Sequence, residues 1–188
     1  MPLYPPPSCF AALVRLATTV SVVCVLAVAP ALASESSEEA QVKAAFVFNF
    51  LKFVEWPKEV RSPAPRSIRL CIIGNRPLDG NLDLLAGRNL GGRVIQIINK
   101  ASPASDTPCH IAYIADTDTS FLKDLQRMAP DVPTLTISDQ RGFIDEGGMI
   151  ELRIIDGKVR FDINLLAARA ANLQLSSQLL QLANRVVQ

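Results

Sequence analysis

The side chains that build metal and catalytic centres are scarce in this sequence. Its 188 residues include one histidine, His110, and four cysteines, whereas a zinc or transition-metal site needs several thiolate or imidazole ligands together. His110 follows Cys109 at the start of a predicted strand, where neighbouring side chains point to opposite faces, so the two are poorly placed to act as a nucleophile and its base. We therefore expect no metal, no cofactor and a structural role for His110.

Recognisable catalytic motifs are also missing. Gly74-Asn75-Arg76-Pro77 follows a predicted strand, but it is neither G-x-G-x-x-G nor a P-loop, and we interpret it as a strand-to-helix turn. Ser138 and Ser176 lack the glycine context of a nucleophile elbow. These motifs do not indicate an enzyme. A hydrolase that uses scattered acids stays open, because two carboxylates at working distance would be visible only in the fold.

The sequence has no excess of one charge. It contains 19 basic and 18 acidic residues and no basic run, which argues against nucleic acid as a partner. From Ser34 onward no apolar stretch is long enough to cross a bilayer as a helix. The chain beyond its first 33 residues has the length of one domain with a substantial core.

The first 33 residues have the parts of a secretory signal. Arg15 precedes an apolar run from Leu16 to Ala29, and Ala31-Leu32-Ala33 then supplies small residues three apart. We predict that residues 1–33 are a cleaved signal peptide, that residues 34–188 form one domain, and that the product is exported in soluble form. An uncleaved membrane anchor is the alternative.

Two cysteines, Cys71 and Cys109, lie outside the predicted signal. An even pair in an oxidising compartment favours a disulfide, which would stabilise the fold by about 4 kcal/mol in the chain-entropy model. Two buried free thiols are the alternative.

Helical and strand patterns alternate along the predicted domain. The predicted helices are Glu38–Glu55, Pro77–Ala86, Thr119–Met128, Leu165–Ala171 capped by Asn164, and a last helix capped by Ser176 that runs through Val186. The predicted strands are Ile68–Ile73, Val94–Ile98, Ile111–Ile114, Thr134–Ile137, and a hairpin of Ile150–Ile154 and Val159–Ile163. Asp156-Gly157 is the tight turn of that hairpin. The pattern predicts a three-layer α/β domain, with a mostly parallel sheet flanked by helices and an antiparallel C-terminal hairpin in the sheet.

The centre of the first predicted helix is apolar on all sides. Residues 44–51 carry no charge, and at helical spacing Phe46 and Phe50 share one face whereas Phe48 and Leu51 share another. Such a helix has to be covered on more than one side, either at the centre of the monomer or in a homodimer interface.

Two polar surfaces are candidates for recognition. Asn49, Lys52 and Trp56 share a face of the first predicted helix at spacings of three and four, and an ordinary solvent-exposed face is equally compatible with this pattern. The polar side of the hairpin is the second candidate, with solvent exposure as the favoured alternative. Its residues are Glu151, Arg153, Arg160 and Asp162.

The sequence resembles the YfiR-like family (DUF4154), in order and over essentially the whole predicted domain. The residues that carry the resemblance are Val42–Phe46, Asn49-Phe50, Lys52–Pro57, Leu70–Gly74, Cys109–Ile111, Leu135–Asp139, Gly147–Ile150, Gly157–Asn164, Leu175–Ser177 and Leu179-Leu180.

This resemblance implies a periplasmic repressor that binds the periplasmic sensor domain of an inner-membrane diguanylate cyclase and lowers cyclic di-GMP and biofilm formation. It also implies a homodimer, a disulfide that falls on Cys71 and Cys109, and a small-molecule effector near Gln174, Ser176 and Ser177.

The alternative is a periplasmic small-ligand-binding module of a sensing or transport system. In that case three strand-end loops would line one crevice. They are Gly74–Pro77, Asp116–Thr119 and Asp139–Gly142.

Overall fold

The structure is a computed structural model that describes residues 31–57, 67–75, 77–100, 108–115, 122–124 and 133–188. The chain divides into two compact units, Met1–Ser36 and Ser37–Gln188. Residues 1–30, which make up most of the predicted signal peptide, lie outside the described residues. Within the described part of the chain, no helix has the length and apolarity to span a membrane.

Three helices have defined bounds. Helix α1 spans Ala31–Phe53, α2 spans Leu165–Ala170 and α3 spans Ser177–Leu182. The side chain of Asn164 accepts a hydrogen bond from the Ala167 amide at the start of α2, and that of Ser176 accepts one from the Leu179 amide at the start of α3. Both predicted caps are confirmed. Residues 122–124 are helical, and the rest of the predicted helix Thr119–Met128 lies outside the described residues.

Ten strands form two sheets in the described part of the chain. In chain order they are β1 Val54–Glu55, β2 Ser67–Ile73, β3 Asn89–Leu90, β4 Arg93–Lys100, β5 Ile111–Ile114, β6 Leu135–Ser138, β7 Ile150–Ile155, β8 Lys158–Asn164, β9 Gln174–Leu175 and β10 Arg185–Val187. The large sheet has the order β10-β8-β7-β6-β5-β2-β4-β3, and β1 pairs with β9 in a separate small sheet.

The large sheet is parallel at its centre. Strands β4, β2, β5, β6 and β7 run in the same direction, and β8 pairs with β7 as the predicted antiparallel hairpin. The fold class predicted from the sequence is therefore confirmed. The hairpin turn has φ values of 51° at Asp156 and 68° at Gly157, the left-handed geometry for which Asp-Gly is favoured.

The sequence did not predict either edge of the large sheet. Strand β3 adds an antiparallel edge beside β4, and β10 pairs in parallel with β8. The predicted last helix through Val186 is wrong beyond Leu182, because the Asn184 amide instead donates to the Phe161 carbonyl at 2.8 Å and starts the pairing with β8.

Two other helix predictions were wrong in extent. Helix α1 ends at Phe53 rather than Glu55, because Val54–Glu55 pairs with Gln174–Leu175 in an antiparallel ladder. The predicted helix Pro77–Ala86 is replaced by two short 3-10 turns, Pro77–Gly80 and Asp83–Leu85. Leu78 and Asp79 have φ values of 51° and 52°, and two consecutive left-handed residues interrupt an α-helix.

The large sheet separates two apolar clusters. On one face, which we call the helix side, residues of all three helices pack against the sheet, with α1 contributing Val47, Phe50 and Leu51. The opposite face, which we call the disulfide side, has a smaller cluster. Its buried members are Cys71, Ile73, Cys109, Ala112, Ile114, Leu122 and Phe143.

The apolar centre of α1 is covered within one chain on more than one side. Phe50 and Leu51 are buried, and the half-buried Phe46 and Phe48 pack against the same core. The ring of Phe161 lies 5.0 Å from Phe50 and 5.8 Å from Phe46, measured between centroids. This packing accounts for the apolar pattern of α1 within one chain, without a partner subunit.

Candidate functional site

The last turns of α1 carry two cations over one aromatic ring. Lys52 Nζ donates a hydrogen bond to Asn49 Oδ1 at 2.9 Å and lies 4.8 Å from the centre of the Phe48 ring. The Arg88 guanidinium lies 4.6 Å from the same ring, so both cations are within cation–π range. We call Phe48, Asn49, Lys52 and Arg88 the cationic patch. Asn49, Lys52 and Arg88 are exposed.

Trp56 does not belong to this surface, contrary to the predicted helical face. The helix ends before it, and Trp56 is buried. Its indole Nε1 donates to the Pro133 carbonyl at 3.1 Å, and its ring meets the edge of His110 with centroids 6.5 Å apart. Trp56 therefore anchors the chain after α1 to the sheet.

The C-terminal candidates Gln174, Ser176 and Ser177 adjoin the end of α1. Gln174 is paired with Glu55 in the β1–β9 ladder, and the Ser176 amide donates to the Phe53 carbonyl at 2.9 Å. Gln174 and Ser177 are exposed, whereas Ser176 is half-buried and caps α3. The backbone thus brings two predicted segments side by side. We call the cationic patch together with residues 174–177 the α1–β9 surface.

The polar side of the hairpin is mostly covered. Glu151 is 1% exposed and Asp162 is 0% exposed, so the expectation of a solvent-exposed face is wrong for these two carboxylates. They face each other directly in the β7–β8 register. The loop after β6 covers Glu151, whose Oε2 accepts a long hydrogen bond from the Ile144 amide at 3.4 Å. Alternation along a strand cannot reveal such a cover, because the loop lies on the polar face.

Arginines from two strands compensate the buried carboxylates. Arg153 Nη1 lies 3.0 Å from Asp162 Oδ2, and its Nε lies 3.7 Å from Glu151 Oε1. Arg185 of β10 places Nε 3.4 Å from Asp162 Oδ2, and Asn184 Nδ2 donates to Asp162 Oδ1 at 2.8 Å. The hydrogen bond and the charge of Asp162 raise the pKa of Arg153. We call these five residues the carboxylate–arginine network.

Arg160 is exposed on the same side of the hairpin as this network. It is the cross-strand neighbour of Arg153 and forms no ion pair with any described residue. Like charges directly opposite each other are destabilising, but Glu151 and Asp162 neutralise Arg153. Phe161 points to the helix side, so Arg160 lies on the opposite face of the sheet from α1. The structure therefore separates Arg160 from the α1–β9 surface.

A disulfide joins Cys71 of β2 to Cys109, just before β5, with a Cα–Cα distance of 5.8 Å. Beside it, His110 Nδ1 accepts a hydrogen bond from the Arg69 amide at 3.1 Å. Burial, with smaller contributions from the charges of Arg69 and Arg93, lowers the pKa of His110 to about 4. His110 is thus a neutral structural side chain near neutral pH.

The described residues do not gather a group of three metal-ligating side chains. Glu151 and Asp162 face each other across the hairpin, and both are buried and held by arginine.

The described residues form a three-layer α/β fold that is cross-linked by the Cys71–Cys109 disulfide. Residues 40–184 match the YfiR/HmsC-like family DUF4154. The chain belongs to this family.

Solved structures add information on the fold alone. A conserved domain protein from Vibrio cholerae O1 biovar El Tor has a TM-score of 0.51 at 13% identity, over 79% of this chain. The match spans 60% of that protein. The ABC domain from Streptococcus pneumoniae in complex with L-Trp has a TM-score of 0.44 at 8% identity, over 64% of this chain and 55% of its own. At that score the likeness has no bearing on the argument.

Proposed function

We propose that this protein binds the periplasmic sensor domain of an inner-membrane diguanylate cyclase and holds the enzyme inactive, lowering cyclic di-GMP and biofilm formation. The observation that carries this proposal is the family match over residues 40–184. The disulfide between Cys71 and Cys109 supports an oxidising compartment, as expected for an exported protein whose signal is residues 1–33.

The α1–β9 surface is the proposed contact with the cyclase. It combines an aromatic ring, an arginine and a lysine with exposed polar side chains, a composition suited to a protein interface. Lys52 and Arg88 would attract acidic residues of the sensor domain and speed the encounter. Arg160, exposed on the other face of the sheet, is a second proposed contact. Trp56 acts in this proposal only by anchoring the chain after α1.

The active form is proposed to be a homodimer, and a small-molecule effector near Gln174, Ser176 and Ser177 is proposed to release the cyclase. Release is then a population shift, in which the effector binds the free repressor better than the bound one. Light scattering on the purified protein tests the dimer. A monomer at high concentration would rule it out.

Capture of the cyclase from membranes tests the proposed function. The tagged wild-type protein is expected to retain an inner-membrane protein with a diguanylate cyclase domain, and Lys52→Glu is expected to reduce its recovery at least about tenfold. Lys123→Glu is the matched control, since Lys123 is an exposed lysine next to Leu122 on the disulfide side, across the sheet from α1.

Two results of this capture bear against the proposal. Retention of no cyclase would reject the function. Retention that falls equally with Lys52→Glu and Lys123→Glu would reject the α1–β9 surface as the contact. Circular dichroism of each variant separates these outcomes from a loss of folding.

A further inference from the structure

A buried hydroxyl group lacks a regular hydrogen bond near the carboxyl ends of the parallel strands. Tyr113 of β5 is 0% exposed, and its hydroxyl makes no hydrogen bond of regular geometry with the described residues. Burial, the negative charge of Asp139 and a hydrogen-bonding contact with that carboxylate raise the pKa of Tyr113, so Asp139 is a neighbour that bonds the hydroxyl without regular geometry. An incompletely bonded buried hydroxyl is unusual and needs an explanation.

Gln140 contributes a second buried group of this kind. Its Nε2 atom is buried without a hydrogen-bond partner among the described residues. The backbone around it is fixed, because the Gln140 amide donates to Ser138 Oγ at 3.1 Å and that hydroxyl donates to the Ile114 carbonyl at 2.6 Å. The Tyr113 hydroxyl and the Gln140 side-chain amide are therefore two incompletely bonded donors, one near the carboxyl end of β5 and one just after β6.

A charged cluster from α1 adjoins Tyr113. Lys43 Nζ lies 2.9 Å from Asp139 Oδ2 and 2.6 Å from Glu39 Oε1. These interactions outweigh the burial of Lys43 and raise its pKa. One cation faces two carboxylates, which leaves an excess of one negative charge. A ligand with a net negative charge is therefore disfavoured here, whereas an uncharged or zwitterionic ligand is accepted.

The sheet topology places Tyr113 beside the position where open α/β sheets bind ligands. The chain winds from β2 to β4 on one side and then to β5 and β6 on the other, so β5 borders the crevice at the carboxyl ends of β2 and β5, and β6 is the next strand. Tyr113 is the penultimate residue of β5, and Asp139 and Gln140 follow directly after β6. The sequence predicted the loop Asp139–Gly142 as part of a ligand crevice but not Tyr113, since a tyrosine inside an apolar strand is typical of a core.

We infer that the carboxyl ends of β5 and β6, with Tyr113, Asp139, Gln140 and Lys43, bind a small uncharged or zwitterionic molecule that presents a carbonyl or carboxylate oxygen to the Tyr113 hydroxyl and the Gln140 amide. This inference does not depend on the cyclase partner. Because Lys43 ties α1 to Asp139, the ligand would also contact the helix that ends in the α1–β9 surface.

Thermal unfolding with small probe molecules tests this site. The probes are N-acetylglycinamide, which is uncharged, β-alanine, which is a zwitterion, and acetate, which is an anion. At millimolar concentrations at least one of the first two is expected to raise the Tm of the wild type by about 2 °C or more, through mass action. Acetate is expected to leave the Tm unchanged.

Tyr113→Phe removes only the hydroxyl group. Without probes the variant is expected to unfold at the wild-type temperature or above it, because it loses an incompletely bonded buried group. With probes its Tm is expected not to rise. Thr134→Val is the matched control. Thr134 precedes β6, at the opposite end of that strand from Asp139, and its Oγ1 donates to the Cys109 carbonyl at 2.9 Å. That variant should lose stability and keep the probe-induced shift.

Two results would overturn the inference. One is a wild-type Tm that no uncharged or zwitterionic probe raises. The other is a Tyr113→Phe protein that unfolds at a lower temperature and keeps the probe-induced shift, which would make the hydroxyl a structural partner of Asp139. Neither result bears on the capture of a cyclase from membranes, so the two proposals fail separately.

Discussion

The two faces of the large sheet reach stability by different means. The helix side is covered by an aromatic and aliphatic core in which Phe50 and Phe161 are in contact. The disulfide side has a smaller apolar cluster, a covalent cross-link and two buried carboxylates held by arginines. The face with the smaller apolar cluster therefore depends more on individual disulfide and ion-pair bonds. Such bonds are sensitive to single substitutions, redox state and pH.

The largest loss is expected on the helix side. Phe50→Ala removes a buried ring that lies between Phe46 and Phe161, and it is expected to lower the free energy of unfolding by about 3–5 kcal/mol. Urea unfolding measures this loss. The matched variant on the disulfide side is Phe143→Ala, for which we expect a smaller loss. Equal losses of unfolding free energy in the two variants would show that the helix side does not depend more on apolar packing than the disulfide side.

Removal of the cross-link tests the disulfide side. The double variant Cys71→Ser, Cys109→Ser is expected to lower the free energy of unfolding by about 2–4 kcal/mol, chiefly because the unfolded chain gains conformational freedom. Wild-type protein unfolded with a reductant should approach the stability of the variant. If the double variant and the reduced wild type unfold at the same urea concentration as the oxidised wild type, the cross-link does not stabilise the fold. The disulfide side would then not depend on its covalent bond.

The pH dependence concerns His110, which follows the disulfide residue Cys109 and whose ring contacts Trp56 of the helix-side cluster. The pKa of His110 is about 4 in the folded protein and about 6.5 in the unfolded chain, so the unfolded state binds the proton first. The contribution of His110 to stability is therefore full above pH 6.5 and is lost as the pH falls towards 4, a decrease of about 2–3 kcal/mol.

His110→Asn is the control for this effect. The Asn carbonyl can accept the hydrogen bond from the Arg69 amide but does not titrate, so its stability is expected to change less between pH 6.5 and pH 4. Urea unfolding at the two pH values gives the difference. Parallel pH profiles for the wild type and the variant would contradict the assignment.

The smallest expected effect concerns the second arginine of the carboxylate–arginine network. Arg185 is 45% exposed at its side chain and lies 3.4 Å from Asp162, so Arg185→Gln should cost about 1 kcal/mol. Arg160→Gln, on the same side and without an ion pair in the described part of the chain, should cost less than half as much. A reversed order would show that Arg153 alone neutralises Asp162.

Local features of the fold could be predicted from the sequence. The turn at Asp156-Gly157 and the caps at Asn164 and Ser176 depend on residues a few positions apart, and all three are present. The parallel strands followed from short apolar runs between turn residues. These predictions succeed because the relevant physical chemistry is contained in a short window.

Features that depend on distant segments were missed. Val54–Glu55 continues a helical pattern, but its ladder partner lies at Gln174–Leu175. Arg88 joins the cationic patch because the chain after β2 returns to the end of α1. The burial of Glu151 depends on a loop that covers the polar face. No local pattern contains these contacts, since each is decided by a segment elsewhere in the chain.

The short ladder between β1 and β9 has a consequence for the order of folding. It pairs Val54 with Leu175, and such a non-local contact carries a large loop-closure entropy and slows folding. A chain that emerges from its N-terminus cannot close this ladder until Leu175 has appeared. The end of α1 is therefore left without its strand partner until nearly the whole polypeptide is present, which keeps an incomplete chain from presenting a finished α1–β9 surface.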